Sequence, residues 1–133
     1  MDIKRNDATL NRPDGNRIID APYVFMDIPV FIDQLKREKS WDKNDRNGIT
    51  VFKSEKMTMV VTMLKTGAEV KRNSDYGYLT LQVLKGEISV NTADEAFHLK
   101  ESQAIAFHPN VIYSFKATMD TTLLQTSFCR SKE

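Results

Sequence analysis

The stretch Leu79-Thr80-Leu81-Gln82-Val83-Leu84-Lys85-Gly86-Glu87-Ile88 decides the fold class of this chain. Leu79, Leu81 and Val83 alternate with Thr80 and Gln82, which is the two-residue period of a strand with one buried face. Lys85-Gly86 then breaks the run, because glycine accepts turn conformations that other residues resist. The alternation resumes after it, with Ile88 and Val90 on one side and Glu87, Ser89 and Asn91 on the other. Two antiparallel strands joined by a tight turn are expected.

The same signals recur on both sides. Strands are expected at 49–53, 57–65, 78–84, 87–92, 96–99, 104–107, 112–116 and 121–128. Between them lie Ser54-Glu55-Lys56, Thr66-Gly67, Thr92-Ala93-Asp94, His108-Pro109-Asn110 and Thr118-Met119-Asp120. So many short strands separated by turn signals predict an all-β sandwich or barrel. Phe97 and Leu99 share a strand face and leave His98 on the opposite one. Met57, Met59 and Met63 fall on one face, where packing in a core explains them.

The N-terminal part has another character. Residues 1–20 are polar, with a turn signal at Arg12-Pro13-Asp14-Gly15, and read as an irregular arm. Residues 23–28 are apolar enough for a short strand. Pro29 opens one short helix that reaches about Lys39, since proline suits a first helical turn. Phe31 and Leu35 fall on its buried face with Val30 beside it, and Asp33, Lys36, Arg37 and Glu38 face water. Residues 40–48 form a polar loop that carries Trp41, the single tryptophan. The expected organisation is an arm, short strand and helix over 1–48, a barrel over 49–128 and a tail over 129–133.

The chain of 133 residues is one domain's worth, with 41% apolar and 28% charged residues, as in ordinary globular proteins. A net charge of +1 gives no field to attract nucleic acid or an anionic membrane, so neither is an expected partner. The N-terminus lacks the apolar run of a signal peptide, and the single Cys129 has no cysteine to pair with. A cytoplasmic location is expected.

The 79–88 stretch resembles the strand–turn–strand of a small cupin. Leu99-Lys100-Glu101-Ser102-Gln103-Ala104-Ile105-Ala106-Phe107-His108-Pro109-Asn110-Val111-Ile112-Tyr113-Ser114-Phe115-Lys116-Ala117 resembles the second cupin segment. The resemblance covers 49–128. It implies a double-stranded β-helix, or jelly roll, around a small cavity, and a homodimer. The metal-binding motifs of cupins are altered at every ligand. Counting from Gly67, Asn73 and Asp75 stand where the family has two histidines, and Leu79 stands at the glutamate, ahead of Gly86. In the second motif Ser102, His108 and Asn110 replace glycine, proline and glycine, Tyr113 replaces the histidine, and Ala117 replaces the final asparagine. Neutral imidazole suits transition metals, whereas Asn and Tyr are poor ligands for them and Leu is none. No metal and no cofactor is therefore expected.

The resemblance aims Asn73, Asp75 and Tyr113 into the cavity, and Arg72 beside them could take an anion in a forked contact. These four are the candidate ligand-binding residues. His108 and Tyr113 are the candidate catalytic pair. They are similar to the pair in metal-free cupins that epimerise nucleotide-linked keto-sugars, where histidine removes a proton and tyrosine returns one. The leading reading is a metal-free module that binds or senses a sugar or small carboxylate without catalysis. The alternatives are a cofactor-independent isomerase or epimerase, and a structural dimerisation protein with a vestigial cavity. Catalysis requires His108 and Tyr113 in one pocket. An interior filled by Leu79, Leu81, Val83 and the methionines would favour the structural role.

Overall fold

The computed structural model describes residues 1–73 and 77–129. Its strands are β1 (Lys4–Asn6), β2 (Arg17–Asp20), β3 (Arg46–Lys53), β4 (Met57–Leu64), β5 (Glu69–Asn73), β6 (Leu79–Lys85), β7 (Glu87–Thr92), β8 (Ala96–Lys100), β9 (Ala104–Phe107), β10 (Ile112–Ala117) and β11 (Thr121–Phe128). Helices α1 (Ile28–Arg37) and α2 (Lys39–Lys43) precede β3. A five-stranded sheet of order β3-β4-β11-β6-β9 faces a four-stranded sheet of order β5-β10-β7-β8, and β1 and β2 form a separate ribbon. Every pairing is antiparallel. The result is an all-β jelly-roll barrel with an N-terminal arm. Among the described residues no helix is long and apolar enough to cross a membrane.

The hydrophobic alternation sets which face turns inward. Leu81 and Val83 of β6, Ile88 and Val90 of β7, Phe115 of β10 and Leu123 of β11 are buried in one cluster with Leu64, Leu99, Phe107 and Tyr113. Leu79 packs against this cluster, as the alternation predicts. The β6–β7 turn depends on Gly86, which has φ +98°. A Cβ there would sit 2.5 Å from the Asp120 carbonyl oxygen and from Thr121 Oγ1, so only glycine fits.

A second core lies on the other face of the five-stranded sheet. Leu35 of α1 is buried there with Ile49, Val51, Val61 and Met63, and Phe31, Ile32, Met59 and Trp41 pack around them. The methionines do share a face, as expected, but Met59 and Met63 look toward the helix and not into the barrel.

The N-terminal part departs from the sequence reading in several ways. The single expected helix is two. It breaks at Glu38, whose backbone is extended (φ −78°, ψ 145°) and whose residue is buried rather than facing water. The cause is a polar clip. Arg12 Nε and Nη2 donate to Glu38 Oε2 and Oε1 at 2.9 Å each, and Nη2 also donates to the Gly48 carbonyl at 2.8 Å. Asn47 Nδ2 donates to Glu38 Oε1 at 3.1 Å and to the Leu35 carbonyl at 3.0 Å, and Gln34 Nε2 donates to Glu38 Oε2 at 3.3 Å. Burial alone would raise the Glu38 pKa. The hydrogen bonds from Arg12, Asn47 and Gln34, with the charge of Arg12, outweigh it and hold the carboxyl below the usual range.

The other differences have local causes. β3 starts at Arg46, inside the stretch 40–48 expected as a polar loop. Residues 1–20 contain β1 and β2, where an irregular arm was expected. β5 was not expected. Residues 23–28 pair with no strand among the described residues, and Ile28 already belongs to α1.

Candidate functional site

Tyr113 is the second residue of β10, which lies between β5 and β7, and has Arg72 and Thr92 as its register partners. The strand period turns Tyr113, Phe115 and Ala117 inward. The Tyr113 ring stacks on Phe107 at a centroid distance of 4.5 Å and on Phe115 at 6.2 Å. Three rings in a row thus fill this part of the interior, and the side chain is held by packing on both faces.

His108 follows β9 and is exposed. Its ring meets Tyr78 edge-on at 4.9 Å. The two candidate catalytic rings therefore lean on different neighbours. Arg72 and Asn73 lie in β5, opposite Tyr113 and Ile112. The expectations for their side chains, and for Asp75, lie outside the described residues. Leu79 and Tyr113, which the resemblance sets at two metal-ligand positions, both pack in the barrel cluster. Among the described residues no three His, Cys, Asp or Glu side chains converge.

The opposite face of the same strands is more open. Ser114 faces outward because its neighbours face inward, and it stands between Lys71 of β5 and Asn91 of β7. Ammonium, hydroxyl and carboxamide thus form one row across three strands. A groove of about 580 Å³ runs along this row, lined by Lys71, Asn91, Thr92, Ile112, Tyr113 and Ser114 among others. Ile112, 69% exposed, offers an apolar floor. The only ion pair of Lys71 among the described residues is a loose, exposed one to Glu69 at 3.9 Å, too weak to hold the ammonium in place. Lysine can bind a carboxylate, Asn91 can both donate and accept, and Ser114 can bond a hydroxyl. The groove does not reach His108, and the Tyr113 side chain is turned away from it into the barrel. The parts played by Asn91 and Ser114 were missed in the sequence, although the outward position of Asn91 follows from the alternation around Val90.

The sequence matches no protein-family profile and no curated protein. Solved structures share the architecture. A cupin superfamily protein from Desulfitobacterium hafniense superposes with a TM-score of 0.62 at 15% identity, over 65% of this chain and 79% of its own. KdgF from Halomonas sp. gives a TM-score of 0.59 at 15% identity, over 66% of this chain and 82% of that one. The cupin domain of Schizosaccharomyces pombe Cnp3 aligns over 97% of this chain and 88% of its own, with a TM-score of 0.61 and 18% identity, so its match takes in the arm as well as the barrel. Identities this low speak for shared architecture alone. The two facing sheets and these superpositions converge on one conclusion: this chain has the fold of a small cupin domain.

Proposed function

We propose that the chain is a non-catalytic module that binds or senses a small molecule, a sugar or a small carboxylate, without a metal or cofactor. The observation that supports it is the groove along Lys71, Ser114 and Asn91, whose volume lies within the range of small-ligand sites. Its polar row suits hydroxyl and carboxylate groups. β5 carries Arg72 and Asn73 next to Lys71, which keeps the candidate residues on the same strand. A cytoplasmic location belongs to the proposal, in keeping with the exposed free thiol of Cys129.

The test is a thermal-shift titration with glucose, glucuronate and succinate as probes. A saturable rise in melting temperature with at least one probe is expected, because a ligand that binds only the folded state stabilises it. The double variant Lys71→Ala/Ser114→Ala should lose that rise. No shift with any probe, or an undiminished shift in the variant, would sink the reading.

A second reading, a structural role with a vestigial cavity, is favoured by the ring stack that fills the interior around Tyr113. The isomerase alternative has less support, because His108 and Tyr113 take different neighbours.

A further inference from the structure

Helices α1 and α2 rest mainly on β3 and β4. Where this cover stops, a pocket of about 530 Å³ opens between the helices and the outer face of β4, β11 and β6. It is separate from the groove along Lys71, which lies on the other sheet. Its apolar walls are Ile32 of α1, Trp41 of α2, Met63 of β4 and Leu84 of β6. The volume lies within the range of small-ligand sites.

The strands are irregular at this place. One step on β11, from Thr122 to Leu123, meets two on β6, from Lys85 to Val83. Leu84 therefore has no residue opposite it. Such bulges bend a strand and re-aim its side chains. Leu123 turns into the barrel cluster, so Thr122 beside it turns toward the helices. Thr122 is 5% exposed and lines the pocket. Among the described residues its hydroxyl makes no hydrogen bond, and no buried side-chain atom is sealed off without a partner, so the hydroxyl opens on the pocket. Buried hydroxyls ordinarily have partners, and a ligand's polar group would supply this one.

The rim carries charge of both signs. Lys36 and Lys85 stand on it with Glu101 and Asp120. Among the described residues none of the four is in an ion pair. Thr66 donates to Asp120 Oδ1 from its backbone N–H at 2.8 Å and from Oγ1 at 3.0 Å. These bonds hold the Asp120 carboxyl below its usual range and fix its place, while Oδ2 accepts none among the described residues. A simple anion here would meet two carboxylates, and a simple cation two ammoniums. A zwitterion meets an opposite charge at each end. The Trp41 ring, with the Lys65 ammonium 4.9 Å from its centre, and the Met63 thioether suit an apolar or aromatic body between those ends.

We infer that this pocket is a second site, which takes an α-amino acid with an apolar side chain. Lys36 and Lys85 face its carboxylate, Asp120 and Glu101 its ammonium, and Thr122 bonds its polar end. The side chain lies on Trp41, Met63, Ile32 and Leu84. Nothing in this rests on the groove of the other sheet.

The experiment is a calorimetric titration of the full chain with L-phenylalanine, phenethylamine, 3-phenylpropionate and glycine. Phenethylamine lacks the carboxylate, phenylpropionate the ammonium and glycine the ring. Saturable binding of phenylalanine is expected, with each of the other three about tenfold weaker or worse. Thr122→Val keeps the shape and removes the hydroxyl, and Lys85→Gln and Glu101→Gln neutralise exposed charges on the rim. All three should keep the circular dichroism of the parent and bind phenylalanine about three- to tenfold more weakly. Lys71→Ala/Ser114→Ala, in the other groove, should bind it as the parent does. Phenylalanine that does not bind overturns the inference, as does binding undiminished in the three pocket variants. Binding lost in Lys71→Ala/Ser114→Ala moves the amino acid to the other groove and overturns it too. Phenylpropionate that binds as tightly as phenylalanine makes the occupant an anion and refutes the zwitterion.

Discussion

The two cores of this molecule are closed by different means. The barrel interior is closed by shape. Leu81, Val83, Ile88, Val90 and Leu123 are fully buried, and the described members of its cluster are apolar residues and Tyr113. The layer beneath α1 is closed in part by polar bonds. Around its five buried members, Met26, Ile28, Phe31, Ile32 and Trp41 remain partly open to water. Its fastening is the Arg12–Glu38–Asn47 clip, with Arg17 Nε donating to the Thr50 carbonyl at 2.8 Å beside it. A core closed by shape opens as a whole. A layer held by one carboxylate can loosen alone, and its opening then has a lower free energy than global unfolding.

The largest effect should come from inside the barrel. Phe115→Ala removes a fully buried ring that stacks on Tyr113. A loss of about 3–5 kcal/mol in urea unfolding is expected, shared by every probe of structure. A smaller, merely local loss would show that the interior is not one cooperative unit.

Next comes Glu38→Ala, which takes the carboxylate from Arg12 and Asn47 and leaves them the Gly48 and Leu35 carbonyls. Breaking a buried pair costs several kcal/mol, but 23% of the Arg12 side chain is exposed and water can meet part of that need. A loss of about 2 kcal/mol is expected, felt in the arm before the barrel. Limited proteolysis within residues 1–20 should speed up while cleavage of 49–128 stays slow. Equal acceleration of both would erase the contrast between the cores.

The smallest effect concerns pH. Glu38 has a lowered pKa in the folded chain. Its contribution is therefore present above the unfolded carboxyl value and is lost as pH falls through the folded one. Arm cleavage in the parent should rise below about pH 4, and Glu38→Gln should flatten that rise. An unchanged pH profile in the variant would remove Glu38 as the titrating group.

The barrel was legible because its residues obey a local rule. The alternation of Ile88 and Val90 with Ser89 and Asn91 sets both the strand and its face, and β7, β9 and β11 begin and end where the pattern does. β5 was not legible, since Glu69-Val70-Lys71-Arg72-Asn73 holds one apolar residue and is a strand only through its pairing with β10. The break at Glu38 was hidden for a similar reason. The residue that draws its carboxylate out of the helix is 26 positions away, and no local periodicity records such a pair. The site was legible in part. Tyr113 was placed inward correctly, but the outward row of Lys71, Ser114 and Asn91 belongs to three strands and exists only once their register is known.

Trp41 is the only indole in the chain, and it lies in the layer under the helices with the Lys65 ammonium 4.9 Å from its ring centre. Tyr113 lies in the barrel. Each core thus carries its own chromophore. Excitation at the red edge of the absorption band selects the indole, whose emission colour reports how wet its surroundings are. Among the described tyrosines Tyr113 is the one held between rings, while Tyr23 and Tyr78 are exposed, so the strongest tyrosine dichroism follows the barrel. Loosening of the arm could be watched separately from melting of the barrel, in the unmodified protein and without a label.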